Sequence, residues 1–166
     1  NGSVSQTYNN NFWITSHRVN GGTTINYQYD NDGLLTWAGN LTISRNAQNG
    51  MITGATLGGV SDILGYNGFG EVIDYTVSYN TNEIFSTLFE RDKLGRITTK
   101  TETVGGATHV YKYGYDPTGR LTTVERDGAL ISQYTYDSNG NRLSHNNTTG
   151  TYDAQDRLIT YGNNSY

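Results

Sequence analysis

Tyr115-Asp116-Pro117-Thr118-Gly119-Arg120-Leu121 is the clearest copy of a seven-residue phrase that recurs along this chain of 166 residues. We number its positions 1 to 7, so that position 1 is the tyrosine, position 2 the aspartate, position 5 the glycine and position 6 the arginine. Other copies of this turn phrase lie at residues 29–35 and 136–143 and, more weakly, at 66–72, 91–97, 152–158 and 45–52, where little more than Gly50 is kept. Copies recur roughly every 20 residues, a period that is typical of repeat proteins.

The turn phrase has the chemistry of a β-turn. An aspartate at the first residue of a four-residue turn accepts backbone N–H bonds, and a glycine at the fourth residue tolerates positive φ. Pro117 stands at the second residue, where its fixed φ suits a type I turn. We therefore predict structural turn positions at Asp30, Gly33, Gly70, Asp92, Gly95, Asp116, Gly119, Asp137, Gly140 and Asp153.

The residues on either side of these turns alternate as strands do. His109, Tyr111, Tyr113 and Tyr115 share one face, while Val110 and Lys112 take the other. Tyr, Thr, Val and Ile fill the runs, and 21 glycines interrupt every candidate helix. The sequence predicts an all-β chain of antiparallel hairpin repeats.

The composition favours tyrosine over purely apolar rings. There are 14 tyrosines against four phenylalanines, and hydrophobic residues make up 34% of the chain. A buried tyrosine hydroxyl needs a hydrogen-bond partner, and we expect the Asp or Arg of a neighbouring repeat to provide it. One hairpin is marginal in water, so stability is expected to come from stacking repeat on repeat.

The turn phrase resembles the YD repeat of the rearrangement-hotspot (RHS) family over roughly residues 24–161. The departures are Asp156 in place of glycine, Arg91 in place of tyrosine, and the copy at 45–52. The resemblance implies a large β-structured shell, as in polymorphic toxins, toxin-complex components, bacterial cell-wall-associated proteins and teneurins. It further implies a twisted, curled sheet that is part of a β-solenoid shell, in a protein secreted by bacteria or exposed on their surface.

The distribution of the phrase suggests how the chain is organised. We predict a degenerate strand pair at residues 1–23 and a YD-repeat array of about seven repeats at 24–166. The repeat rhythm runs to the last residue, so we expect an array cut from a longer one, whose partners are the remaining repeats of its parent chain and an enclosed toxin domain. We also expect two copies to associate through the uncharged strand Ile159-Thr160-Tyr161.

Several classes of function are disfavoured. The net charge is −4, and the 11 lysines and arginines are dispersed, so no nucleic-acid surface is predicted. No apolar run approaches the roughly 18 residues of a membrane span. The chain has no cysteine and three isolated histidines, so neither a metal nor a cofactor is expected. Aspartate recurs at most hairpins, which indicates that it caps the turns, because a catalytic pair of acidic residues would occur only once in the chain. No catalytic residue is predicted.

The recurring arginines and the two tryptophans allow further interpretations. We expect Arg96, Arg120, Arg142 and Arg157 to cover tyrosine rings or to pair with turn aspartates. Trp13 and Trp37 provide the alternative to a purely structural role, because exposed aromatic rings stack on sugars. That alternative is a carbohydrate-binding or adhesion module whose partners are glycans.

Overall fold

The computed structural model describes residues 2–166, and within that range the chain forms β-strands and no helix. The part of the chain described therefore offers no helix that could cross a membrane. The strands pair antiparallel, which confirms the predicted all-β class. The chain divides into two compact units, one ending at Ser86 and the other beginning at Thr87.

Both units are built of short strands joined by tight turns. The first unit contains β1 (Val4–Tyr8), β2 (Ile14–Val19), β3 (Ile25–Tyr29), β4 (Leu35–Ala38), β5 (Leu41–Arg45), β6 (Ile52–Leu57), β7 (Val60–Tyr66) and β8 (Val72–Tyr79). Strand β9 (Asn82–Arg91) includes the boundary. The second unit contains β10 (Ile97–Val104), β11 (Ala107–Tyr115), β12 (Leu121–Arg126), β13 (Ala129–Tyr136), β14 (Arg142–His145), β15 (Thr148–Tyr152), β16 (Leu158–Tyr161) and β17 (Asn164–Ser165).

Within each unit the strands form a meander, in which every strand pairs with the one before it and the one after it. In the second unit, for example, β11 pairs Tyr113 with Val124 of β12, and β12 pairs Thr123 with Gln133 of β13. Inside either unit, the described strands make substantial contacts only with their neighbours in sequence. Each unit is therefore a single layer of strands.

Two kinds of turn alternate along the meander. The turn phrase forms one kind: the Gly119 N–H donates to the Asp116 carbonyl over 2.9 Å, and the strand pairing shifts register just before the turn, at Gly114/Tyr115. The return turns are of another kind, in which one or two successive residues have positive φ; Asp127 (53°) and Gly128 (81°) are an example with two. Positive φ at both central residues defines the type I′ turn, whose twist matches that of the flanking strands.

The expected tyrosine core is not formed. No hydrophobic residue among residues 2–166 is buried, and many apolar side chains, such as Leu57, Val60 and Tyr79, are exposed. The reason is the single layer: with no second sheet or helix packed against it within either unit, a side chain can be covered only by its neighbours on the same face. The tyrosines are accordingly mostly half-buried.

The strand that was expected to lie at an edge of the sheet is paired on both sides. Association of two copies through Ile159-Thr160-Tyr161 requires one side of this strand to be unpaired, but β17 pairs with it. Thr160 pairs with Ser165, Tyr161 pairs with Asn164, and the Tyr166 N–H donates to the Ile159 carbonyl over 2.9 Å. The last residues fold back onto β16 as β17, because Gly162 at φ 58° starts another return turn.

The N-terminal strand pair is closed by a copy of the turn phrase that the sequence did not reveal. Tyr8-Asn9-Asn10-Asn11-Phe12-Trp13-Ile14 joins β1 to β2, with Asn9 at position 2 and Phe12 at position 5 with φ 61°. The Phe12 N–H donates to the Asn9 carbonyl, as the Gly119 N–H does to Asp116. The repeat pattern thus extends into the first 23 residues.

Candidate functional site: the contacts between repeats

The position-2 side chain holds each turn together. Its Oδ1 atom accepts the backbone N–H groups of positions 4 and 6 over 2.8–3.1 Å. The residues that do this are Asn9, Asp30, Asn67, Asp92, Asp116, Asp137 and Asp153. The structure gives positive φ, between 79° and 95°, to Gly33, Gly70, Gly95, Gly119 and Gly140.

The position-6 side chain donates to the second carboxylate oxygen of the turn aspartate. Arg96, Arg120 and Arg157 place Nε 2.6–2.7 Å from Oδ2 of position 2 in their own turns. Asn141 donates to Asp137 in the same way over 2.9 Å. In the copy at 66–72 the roles are exchanged, because Asn67 donates to the Glu71 carboxylate over 2.7 Å. Where positions 2 and 6 pair through their side chains, the turn uses a complementary pair rather than two fixed residues.

These bonds lower the pKa of the turn aspartates. Partial removal from water raises the pKa of Asp116, but the hydrogen bonds from the N–H and guanidinium of Arg120 and from Thr118 outweigh it and hold the pKa well below its usual range. At Asp92 the hydrogen bonds from Arg96 likewise overcome desolvation and lower the pKa. The Asn141 amide lowers the pKa of Asp137, and the Arg157 N–H lowers that of Asp153. These carboxylates stay ionised well into the acid range.

In six copies, position 1 joins the repeat to the one before it. Its side chain donates a hydrogen bond of 2.7–3.2 Å to the position-7 carbonyl of the preceding repeat, or to the eighth residue, Ile52, in the longer copy at 45–52. The pairs are Tyr29 with Ile14, Arg45 with Leu35, Tyr66 with Ile52, Tyr115 with Ile97, Tyr136 with Leu121, and Tyr152 with Arg142. We call this bond the inter-repeat bond. It corrects the expectation that an Asp or Arg side chain of a neighbouring repeat would be the hydrogen-bond partner of these hydroxyls.

At Arg45 the inter-repeat bond is kept although arginine replaces the tyrosine. In this diverged copy the guanidinium Nε donates to the Leu35 carbonyl over 3.0 Å, where the other repeats use a hydroxyl. A second guanidinium nitrogen donates to the Gly50 carbonyl of its own turn over 2.8 Å. Arg91, the other arginine at position 1, donates to the Gly95 carbonyl over 2.9 Å in the same manner.

Position 6 also covers the tyrosine of the next repeat. The guanidinium carbons of Arg96 and Arg120 each lie 4.8 Å from the ring centres of Tyr115 and Tyr136. This is the geometry of a cation–π contact. In the first copy Trp13 takes the place of arginine, with its ring centre 5.3 Å from that of Tyr29. The position-6 side chain therefore contacts both its own turn and the tyrosine of the next repeat.

Asp156 stands where other copies have glycine, and its side chain explains why it is tolerated. It has φ 60°. Its Oδ1 accepts the side-chain amides of Asn139 and Asn141 in the preceding repeat, over 3.0 and 2.7 Å. Aspartate is among the residues that adopt this conformation at lower cost, and here it gains a contact between repeats.

The two tryptophans are not brought together. Trp13 packs against Tyr29, whereas Trp37 is the pairing partner of Gln28. Gln28 and Tyr29 are consecutive in β3 and so point to opposite faces of the sheet. Trp37 lies at a shallow depression that it lines with Gln28, Thr36 and Thr42. A joint platform is thus not formed, and a sugar would meet one tryptophan at a time.

The contacts described above link hairpins, and they recur from repeat to repeat. Within residues 2–166 no three His, Asp or Glu side chains come together as metal ligands would. The arrangement can therefore hold neighbouring hairpins in register. Its charged groups are engaged within the turns, Asp116 with Arg120 and Asp153 with Arg157.

Comparison with known proteins agrees with this architecture. Residues 1–166 match the family model described as the teneurin YD-shell. Teneurin-3 of Danio rerio is 34% identical over 97 residues, which is 51% of this chain and 4% of teneurin-3. The chain thus spans a small part of that relative.

Two solved structures share the fold at low sequence identity. The crystal structure of TcdB2-TccC3-TEV superposes with a TM-score of 0.75 and 16% identity, over 95% of this chain and 10% of that one. The Photorhabdus luminescens Tc holotoxin pore gives a TM-score of 0.55 and 10% identity, over 95% of this chain and 12% of that one.

Proposed function

Because the chain belongs to the teneurin YD-shell family, we propose that its repeats are part of a shell wall that encloses a toxic C-terminal domain of the same parent polypeptide. The wall keeps that domain apart from its surroundings until delivery. Its role is structural rather than catalytic. The proposed location is outside the cell, secreted or on a bacterial surface.

The observation that carries the proposal is the combination of the inter-repeat bond with the lack of a core. Six inter-repeat bonds tie successive hairpins, and no hydrophobic residue among residues 2–166 is buried. A globular binding or catalytic domain depends on a buried core. A single layer held by nearest-neighbour contacts suits a wall instead. The structural likeness to the Tc holotoxin supports a toxin shell in particular.

The proposal is tested on the longer polypeptide that it implies. We expect the reading frame around these residues to encode further repeats and, after them, a domain unrelated to the array. In the purified protein that domain should resist a protease that cleaves it when it is produced alone. Cleavage at equal rates in both settings, or a frame with no such domain, would contradict enclosure.

A second candidate function is favoured by the position of Trp37. Its ring lines a depression together with Gln28, Thr36 and Thr42, which provide polar groups beside an aromatic surface. Polar groups placed beside an aromatic surface are typical of small-ligand sites. If this site binds sugars, calorimetric titration with oligosaccharides should give saturable binding that Trp37→Ala abolishes and Trp13→Ala leaves intact. Equal binding by both variants, or none by the parent chain, would leave only the structural role.

A further inference from the structure

The turn phrase at 29–35 lacks a side-chain contact that other aspartate turns make. In those turns Oδ2 of the position-2 carboxylate accepts a hydrogen bond from the position-6 side chain, at Asp92, Asp116, Asp137 and Asp153. Position 6 of the copy at 29–35 is Leu34, which has no donor. Asp30 still accepts two backbone N–H groups through Oδ1, but no group among residues 2–166 donates to its Oδ2.

An open cavity lies beside this carboxylate. Its volume is about 660 Å³, which leaves room for a planar cationic group together with the stem that carries it. The charged residues of its lining are Asp30, Asp32 and Arg45, so the lining carries a net negative charge. Two nitrogens of the Arg45 guanidinium are engaged with backbone carbonyls, over 3.0 and 2.8 Å. A cation is therefore the ligand that the charge of this cavity favours.

A later repeat shows which cation fits acceptors of this kind. Arg120 places its Nε 2.6 Å from Oδ2 of Asp116 and donates through a second guanidinium nitrogen to the carbonyl of Asp137 over 2.8 Å. Asp137 is position 2 of the next turn. The corresponding acceptors at the cavity are Oδ2 of Asp30 and the carbonyl of Asn46. That carbonyl accepts one N–H, from Gly50, and a carbonyl oxygen has a second lone pair.

Leu34 follows the path of a position-6 arginine without making its bonds. A Cβ added at Gly50 would lie 2.6 Å from Cδ1 of Leu34, and one added at Gly119 would lie 3.6 Å from Nη1 of Arg96. Both position-6 side chains thus reach the glycine of the following turn. What the copy at 29–35 lacks is the guanidinium group itself.

We propose that the cavity binds a guanidinium cation that comes from outside these repeats, with Asp30 as its carboxylate acceptor. A guanidinium is planar and presents its donors in a fixed fork, so it can bond a carboxylate oxygen and a backbone carbonyl at once, as Arg120 does. A metal ion is a poorer fit, because no three His, Asp or Glu side chains of the described chain come together here. The site goes beyond the proposed shell function and does not depend on it.

The first experiment titrates the 166-residue chain with methylguanidinium chloride at constant ionic strength and follows the backbone amides by NMR. We expect saturable shifts at residues 30–36 and 45–50. None is expected at residues 116–120, where Arg120 already occupies the carboxylate. Methylammonium has the same charge without the fork, and it should bind at least about tenfold more weakly because it loses a charge-assisted hydrogen bond.

Three variants test the residues of the site. Asp30→Asn keeps the turn, because Asn9 and Asn67 make the same Oδ1 bonds at position 2, and it should weaken binding at least about tenfold. Leu34→Arg should abolish binding, since its own guanidinium would reach Asp30, whereas Leu34→Met is the matched control and should retain it. Unchanged binding by Asp30→Asn, or no saturable shift in the parent chain, would overturn the inference. So would shifts caused by calcium chloride but not by methylguanidinium, because they would indicate a metal site.

A pair of peptides distinguishes the two sources of a guanidinium group. One is a tripeptide with arginine between two glycines, blocked at both ends, and its control carries lysine in place of arginine. Binding of the arginine peptide at least as tight as that of methylguanidinium would support the side chain of another polypeptide as the ligand. Its exclusion while methylguanidinium binds would support a small guanidinium compound. Equal binding of the two peptides would overturn the guanidinium site.

Discussion

The hydroxyl of Tyr136 lies 2.7 Å from the backbone carbonyl of Leu121 in the preceding repeat and donates a hydrogen bond to it. Tyr136→Phe should lower the free energy of unfolding by about 0.5–1.5 kcal/mol, because the ring stays and only this bond is lost. Tyr134→Phe is the matched control, since its hydroxyl has no hydrogen-bond partner among residues 2–166. Urea unfolding compares the two, and equal effects would count against the inter-repeat bond.

The turn glycines should differ in their tolerance of a side chain. Gly119 has φ 90°, so Gly119→Ala should cost about 1–2 kcal/mol in unfolding free energy. Gly33→Ala should cost more, because an added Cβ would lie 2.6 Å from Cζ2 of Trp13. Gly68 has neither constraint, and Gly68→Ala should stay within about 0.5 kcal/mol of the parent. Any other ranking in thermal or urea unfolding would argue against these turns.

Acid should weaken the second unit before the first. Asp92, Asp116, Asp137 and Asp153 hold position 2 in the second unit, and all have lowered pKa values. A carboxyl whose pKa is lower in the folded state stabilises the fold while it is ionised. That contribution is complete above the unfolded pKa of about 3.9 and is lost as the pH falls through the lower folded value. In the first unit the position-2 residues of three phrases are Asn9, Asn46 and Asn67, which do not titrate.

The positions of the tryptophans make this measurable. Both Trp13 and Trp37 are in the first unit, so their fluorescence reports on that unit, whereas circular dichroism reports on all strands. Between pH 5 and pH 2 the urea midpoint followed by circular dichroism should fall further than the fluorescence midpoint. Asp116→Asn should flatten the dichroism curve. Parallel loss in both signals would show that the aspartates do not set the acid response.

At Arg45 a mutation can replace one hydrogen-bond donor of the inter-repeat bond with another. Arg45→Met removes both of its bonds and should cost about 1.5–3 kcal/mol, the range for hydrogen bonds from a charged group. Arg45→Tyr restores the residue found at position 1 in most copies and should recover the bond to the Leu35 carbonyl. Its stability should exceed that of Arg45→Met in chemical unfolding. If the two variants are equally unstable, the arginine serves something other than the inter-repeat bond.

The turns could be predicted from the sequence, whereas the contacts between repeats could not. An aspartate and a glycine three residues apart between two alternating segments are typical of a β-turn. The hairpin could therefore be predicted from Asp116 and Gly119. The acceptor of the Tyr136 hydroxyl is a backbone carbonyl, and every residue has one, so no residue type marks it. The first copy was missed because Phe12 and Trp13 replace glycine and arginine. Its one signal was Tyr8-Asn9, which matches Tyr66-Asn67.

The inter-repeat bond has a direction along the chain. In each of the six pairs the donor follows its acceptor by between 10 and 18 residues. During synthesis each acceptor therefore leaves the ribosome before its donor. A new hairpin can then bind to the hairpin that was made before it. Contacts this close in sequence close quickly, and synthesis proceeds at about 5–20 residues per second. Such a wall can grow as it is translated, and gene duplication can lengthen it by whole hairpins without redesigning a core.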